Sequence, residues 1–165
     1  MMRRTYITRI GILLLVLLNI GCDQISKGMV RVNVEQRGYI QIFEDYFVLT
    51  NVENTGAMLG FGDSFPPIPK FLLLQALPVL MLMILLFRIL QKTNLNKWLI
   101  IAFAFVIGGG IGNLYDRIAY GSVTDFFVIK VGVFRTGIFN MANVSVTTGI
   151  LLLLFLTLRN KNLSL

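Results

Sequence analysis

The chain has 165 residues, 56% of them hydrophobic and only 14% charged, with a formal net charge of +7. A water-soluble domain carries about 25% charged residues, so this composition excludes an ordinary soluble protein and points to a membrane chain. One cysteine excludes an internal disulfide, and the absence of histidine removes the commonest metal ligand and catalytic base.

Taken in chain order, four apolar runs stand out, at residues 10–25, 71–90, 98–112 and 138–158. A membrane helix needs about 20 apolar residues, which the second and fourth runs supply outright. The first and third end in polar or glycine-rich residues, so their outer ends are expected to meet protein or water rather than lipid. The expected spans are therefore 8–26, 70–90, 98–116 and 138–158, within a single membrane domain covering 1–165. Two excursions remain, 27–69 and 117–137. Pro78 lies inside the second run, where a membrane helix tolerates it with a kink.

In the first excursion, residues 39–43 and 46–52 read as short strands from their branched and aromatic side chains, with Glu44-Asp45 as the turn. Asn54-Thr55-Gly56-Ala57 follows as a loop, and Gly60, Gly62 and Pro66-Pro67 interrupt structure before the second span. The other excursion offers 126–128 and 131–134 as a further strand pair around Lys130. The expectation is a four-helix bundle carrying a small external sheet, a shape suited to holding an extended peptide by strand addition.

Charge orients the bundle. Arg3, Arg4, Arg9, Arg88, Lys92, Lys97, Arg159 and Lys161 fall on one side of four alternating spans, with no acid among them. Lys27, Arg31, Arg37, Lys70, Arg117, Lys130 and Arg135 share the other side with all eight acids. The positive-inside rule then makes both termini cytoplasmic and the two excursions external. Bases scattered in this way do not form a nucleic-acid footprint, and no nucleic-acid partner is expected. The chain has no HExxH, CxxC or Walker-type GK[ST], and its acids lack calcium-loop spacing. Neither metal nor cofactor is expected.

The chemistry-bearing residues gather at the outer ends of the spans. Asp23 closes the first, Asn113, Asp116 and Arg117 close the third, Asp125 follows, and Asn140 and Asn143 open the fourth. Ionisable groups at a membrane boundary are costly and mark function by default. An antiparallel helix pair joined by the second excursion can bring Asp125 and position 143 to one point.

The ordered set Asp23-Gln24-Ile25-Ser26-Lys27, Asn54-Thr55-Gly56-Ala57, Gly112-Asn113-Leu114-Tyr115-Asp116-Arg117, Val123-Thr124-Asp125-Phe126 and Phe139-Asn140-Met141-Ala142 resembles the lipoprotein signal peptidases. These are bacterial aspartic endopeptidases, also called signal peptidase II. Each motif alone is weak, but five in register over nearly the whole chain are specific. The resemblance implies an all-α membrane bundle of four transmembrane helices with a small external β-sheet (a β-cradle) and a short external helical segment over the site. It implies cleavage of diacylglyceryl-modified prolipoproteins just before the lipidated cysteine, at the outer face of the bacterial cytoplasmic (inner) membrane. It implies a monomer that contacts membrane lipids and is open to globomycin-type peptide inhibitors. The family's first catalytic aspartate falls on Asp125. Its second falls on position 143, where this chain has Asn143. By the same resemblance Asp23, Lys27, Asn54, Gly56, Asn113, Arg117 and Asn140 hold the substrate backbone or the dyad, with Asp116 in support.

Two close carboxylates share one proton, one activating water while the other protonates the reacting amide. An asparagine keeps the shape of the protonated partner but cannot deliver a proton and recover it. The expectation is a chain that binds the family's substrates and cleaves them very poorly or not at all. Asp125, relieved of a like-charged neighbour, is expected to titrate near an ordinary carboxylate.

Three rival readings belong to other classes. Arg3-Arg4, an apolar stretch and Ile20-Gly21-Cys22 look like the signal of a lipoprotein lipidated at Cys22, but Asn19 is a poor residue for that signal and three more spans follow. A small transporter or membrane chaperone would carry its acids mid-bundle. A serine–lysine peptidase could use Ser26-Lys27 or Ser145, but adjacent helical residues do not face each other.

Overall fold

The computed structural model describes residues 2–92 and 96–159, with side chains from residue 9 onward. Arg3, Arg4 and Lys161, which enter the charge pattern, lie outside the described side chains. Helix α1 covers Met2–Asn33. Strands β1 (Tyr39–Phe43) and β2 (Phe47–Asn54) follow, then a single 3-10 turn at Met58–Gly60. Helix α2 runs Pro67–Gln91, α3 Lys97–Tyr120 and α4 Met141–Arg159. Between α3 and α4 lie β3 (Val123–Val131) and β4 (Phe134–Arg135). All four helices are long and apolar enough to cross a membrane. The protein is a multi-pass membrane protein with a small antiparallel sheet.

Two helices outrun the apolar signal at the ends that meet the excursions. The first continues past residue 26 to Asn33, because Lys27 finds acidic partners inside the bundle rather than water. The third continues past 116 to Tyr120, where Gly121 in the left-handed conformation (φ +77°) caps it. Lys27, Arg31 and Arg117 thus belong to helices, and the excursions shrink to residues 34–66 and 121–140. The fourth helix starts at Met141 rather than 138, since Phe139 bridges to Phe127 and Asn140 caps the helix. In α2 the strain is taken up by a π turn at Leu72–Ala76 just ahead of Pro78, which frees the carbonyls that proline cannot engage.

Helix α3 is the central element. Half of its hydrophobic window is buried, against 11–22% for the other three. It can sit there because its inward face is small. A Cβ on Gly109 would lie 2.4 Å from the Ala142 carbonyl oxygen, and one on Gly108 2.5 Å from the Asn19 Cβ. Close backbone approach of this kind is how membrane helices associate without a hydrophobic driving force. Ile12, Val16, Ile89, Leu99, Ile107 and Leu156 complete the apolar core of the bundle.

Both excursions contribute to one sheet, in the order β1-β2-β3-β4. The β1–β2 hairpin turns at Glu44-Asp45, as its composition predicts, with Glu44 at φ +43° and Tyr46 N–H donating to the Phe43 carbonyl. The second hairpin differs from expectation. Lys130 is not in its turn but in β3, paired with Arg135, and the chain reverses at Gly132-Val133 because Gly132 takes φ +58°. Lys130 instead ties the sheet together: its N–H donates to the Tyr46 carbonyl, and its Nζ to the Tyr39 hydroxyl at 2.6 Å. The β2–β3 pairing sets Val52 opposite Asp125 and Asn54 opposite Val123, which delivers the ends of both strands to one mouth of the bundle.

Candidate active site

Asp23, Lys27 and Arg31 recur every fourth residue of α1, so one face of that helix points all three at α3. Asp116 answers them from α3. Lys27 and both carboxylates are fully buried. Lys27 Nζ lies 2.7 Å from Asp23 Oδ2 and 3.0 Å from Asp116 Oδ2, and Arg31 adds a 3.0 Å ion pair to Asp116. Gln24 bridges the two acids with its amide at 3.1 Å from each. The second Asp23 oxygen accepts from the Ala142 backbone N–H at 2.8 Å, which fixes the start of α4 against α1. Two acids against two bases leave this buried cluster neutral. Asp23 is therefore an internal partner of the bundle and not an acid reaching out to water.

Beside this platform lies a run of amides. Asn113 Oδ1 accepts from Lys27 Nζ and from Asn140 Nδ2, each at 3.0 Å. Asn113 Nδ2 donates to Asn143 Oδ1 at 2.7 Å. Asn140 is the N-cap of α4, its Oδ1 accepting from the Asn143 backbone N–H at 2.8 Å. Its Nδ2 donates 2.7 Å to Asp125 Oδ1. Asn54 Nδ2 donates 3.0 Å to the other oxygen of Asp125, and the Gly56 N–H donates back to Asn54 Oδ1, closing a tight local turn. Arg117 donates to the Gly56 carbonyl at 2.9 Å and so holds that loop over the mouth.

Asp125 is therefore positioned from both sides, by Asn54 of β2 and by Asn140 ahead of α4, and is almost fully buried. Burial pushes its carboxyl up from 3.8 to about 6, against the lowering effects of the Asn54 bond, the Lys27 and Arg117 charges and the Asn140 bond. The expected return to an ordinary carboxylate does not hold. Removing a like-charged neighbour left the burial, and burial dominates.

Asp125, Asn143, Asn54, Asn113 and Arg117 all line one cavity of about 880 Å³, roofed by Ala57 and by Met58 and Leu59 of the 3-10 turn and walled by Ile138 and Phe139. The structure thus brings Asp125 and Asn143 to a common space, linked through Asn113 and Asn140 rather than bonded to each other. Asp23, Lys27 and Asp116 lie beneath, as support. Three contributors were not singled out as site residues from sequence: Gln24, Arg31 and Thr124. Thr124 accepts from Arg31 Nε at 2.7 Å, donates 2.7 Å to Glu53, and through its N–H reaches Asp116. The four-residue spacing Asp23, Lys27, Arg31 was the available signal for the arginine. Nothing local signals the Thr124 hydroxyl, whose side-chain partners Arg31 and Glu53 are 93 and 71 residues away.

The rival arrangements find no geometry. Ser26 donates to the Asp23 carbonyl, while Lys27 faces the buried acids, so the two do not meet. Ser145 pairs with Asn19 at 2.8 Å. Cys22 lies exposed within uninterrupted α1.

Fold and site together define a multi-pass membrane protein with an aspartate-centred cavity at one mouth of its helix bundle. A family model described as signal peptidase (SPase) II matches residues 15–159. The chain belongs to that family of peptidases. Curated relatives include lipoprotein signal peptidases of Pseudomonas fluorescens (34% identical over 146 residues, 88% of this chain and 85% of that one) and of Wigglesworthia glossinidia brevipalpis (34% over 135 residues, 81% and 84%). One from Streptococcus thermophilus is 29% identical over 154 residues, 93% of this chain and 96% of that one. Among solved structures, a bacterial membrane enzyme superposes with a TM-score of 0.81 at 21% identity, covering 92% of this chain and 90% of that one. At that identity the likeness concerns the fold.

Proposed function

We propose that this chain is a lipoprotein signal peptidase that holds diacylglyceryl-modified prolipoproteins in the Asp125–Asn143 cavity and, as encoded, lacks one of the two acids cleavage needs. The observation that carries this reading is the common cavity: Asp125 and Asn143 line it together, joined through Asn113 and Asn140. Asp125 acts as the base that draws a proton from water. Position 143 faces it as the acid would, but an amide cannot protonate the leaving nitrogen. Asn54, Asn113, Arg117 and Asn140 orient the dyad or the substrate backbone, Gly56 shapes the loop over the cavity, and Asp23, Lys27 and Asp116 hold the helices beneath. The site is assigned to the outer face of the cytoplasmic membrane with both termini cytoplasmic, on the strength of the charge asymmetry. The working form is a monomer in contact with membrane lipids, and globomycin-type peptides compete for the same cavity.

A gel-mobility assay on a lipidated prolipoprotein, run with the encoded chain and Asn143→Asp, tests this. Loss of a proton-transfer partner costs about 100- to 10,000-fold, so Asn143→Asp is expected to cleave faster by that factor. Equal turnover by the two forms, with position 143 of the encoded chain still an amide by mass, would overturn the reading.

A further inference from the structure

The cavity contains an amide of its own. Asn143 Oδ1 accepts a 2.7 Å hydrogen bond from Asn113 Nδ2, and the Asn113 oxygen is in turn pulled by Lys27 Nζ and Asn140 Nδ2 at 3.0 Å each. A cation on the far side of an amide strengthens its N–H as a donor, so Asn143 is held by a polarised group suited to an oxyanion. The Asn143 side-chain nitrogen has no hydrogen-bond partner among the described residues, and the side chain lines the cavity that Asp125 also lines. The other amides present themselves differently. Asn54 and Asn140 spend their nitrogens as donors to Asp125 itself, so they offer the carboxylate N–H groups rather than a carbonyl carbon.

We propose that Asn143 is a self-processing site: Asp125 promotes hydrolysis of the Asn143 side-chain amide, converting the encoded residue to aspartate and completing a two-carboxylate site. The Asp125 carboxylate takes a proton from water while the water oxygen bonds to Asn143 Cγ. The charge that develops on Oδ1 is held by Asn113. The proton passes from Asp125 to Nδ2, the C–N bond breaks, and ammonia leaves. One amide and one water give one carboxylate and one ammonium, with no oxidant or reductant.

The commoner route to deamidation, attack by the following backbone nitrogen, is blocked. The Val144 N–H already donates to the Asn140 carbonyl at 3.1 Å within the first turn of α4. A single acid is a poor catalyst, by about 100- to 10,000-fold, but this reaction needs to occur only once per molecule. The proposal rests on the reading of Asp125 and position 143 as the dyad.

The test is peptide mass spectrometry on the full-length chain in detergent, incubated over days in heavy-oxygen water. The expected result is growth of α-linked aspartate at position 143 with one heavy oxygen incorporated, while Asn54, Asn113 and Asn140 stay amides. Asp125→Asn is expected to slow conversion at least about 100-fold, and Asn113→Ala to slow it as well, both in preparations that remain monodisperse. Absence of conversion in the encoded chain, equal conversion in both variants, or a product that is mainly isoaspartate would overturn it. Prolipoprotein cleavage by Asn143→Asp separates the two ideas. Cleavage without self-conversion defeats only the self-processing, whereas failure of Asn143→Asp to cleave defeats the dyad reading whatever position 143 does.

Discussion

Lys27 is the residue on which the buried charge balance turns. It is the shared partner of Asp23 and Asp116, and all three are sealed from solvent. Lys27→Met keeps the volume but strips Asp23 of its ion pair and leaves Asp116 with Arg31. Breaking a buried pair in this way costs about 3–5 kcal/mol, so a clear fall in melting temperature in detergent is expected; an unchanged value would mean the cluster is not ionised. Asp125 obeys the opposite logic, since its base form is the useful one and burial disfavours it. It faces Lys27 from α1, Arg117 from α3, Asn54 from β2 and Asn140 ahead of α4, and still titrates at about 6. Conversion of Asn143 should therefore rise with pH through about 6 and level off above it. In Asn143→Asp two carboxylates share the site, one protonation moves upward, and prolipoprotein cleavage should follow a bell. A flat profile for Asn143→Asp would remove Asp125 from the chemistry.

At the scale of elements, glycines decide how closely the helices meet. A Cβ on Gly112 of α3 would stand 2.6 Å from Asp23 Oδ2, and one on Gly109 would meet the Ala142 carbonyl. Gly112→Ala or Gly109→Ala should each destabilise by about 1–3 kcal/mol and reduce cleavage in the Asn143→Asp background, because both push α3 away from the helices that position the site. Gly28→Ala on α1 meets nothing within 4 Å, and should be neutral or stabilise by about 0.5–1 kcal/mol through helix propensity. Denaturation in detergent compares all three, and similar losses at Gly28 and Gly112 would sink the close-approach account. The same elements show where sequence reading works. The runs that became helices and the Glu44-Asp45 turn are local signals, and were legible. The ends of α1 and α3 nearest the sheet were not, because Lys27 and Arg117 stay helical through Asp116 and Gly56 respectively, which lie far off in sequence. The misplaced turn near Lys130 failed likewise: a lysine looks like a loop residue until the Tyr39 hydroxyl and the Tyr46 carbonyl claim it.

For the molecule as a whole, the described charges sort as the sequence suggested. Arg9, Arg88, Lys92, Lys97 and Arg159 cluster at one end of the bundle, and Arg9 donates to the Leu90 carbonyl to pin α1 and α2 together there. The cavity, the buried ion cluster and the sheet occupy the other end. The motif residues were legible as a set because five short patterns fell in register. What the set could not convey was that Asp125 and Asn143 are linked through the Asn113 and Asn140 amides, a geometry that depends on where α4 is capped. Orientation in the membrane can be tested by labelling. In a Cys22→Ser background, Val133→Cys lies in the β3–β4 turn, where the native side chain is 94% exposed, and Lys92→Cys lies at the exposed end of α2. A membrane-impermeant maleimide applied to intact spheroplasts should modify position 133 at once and position 92 only after permeabilisation. The reverse pattern would place the cavity in the cytoplasm, away from any translocated prolipoprotein, and the charge asymmetry would then need another cause.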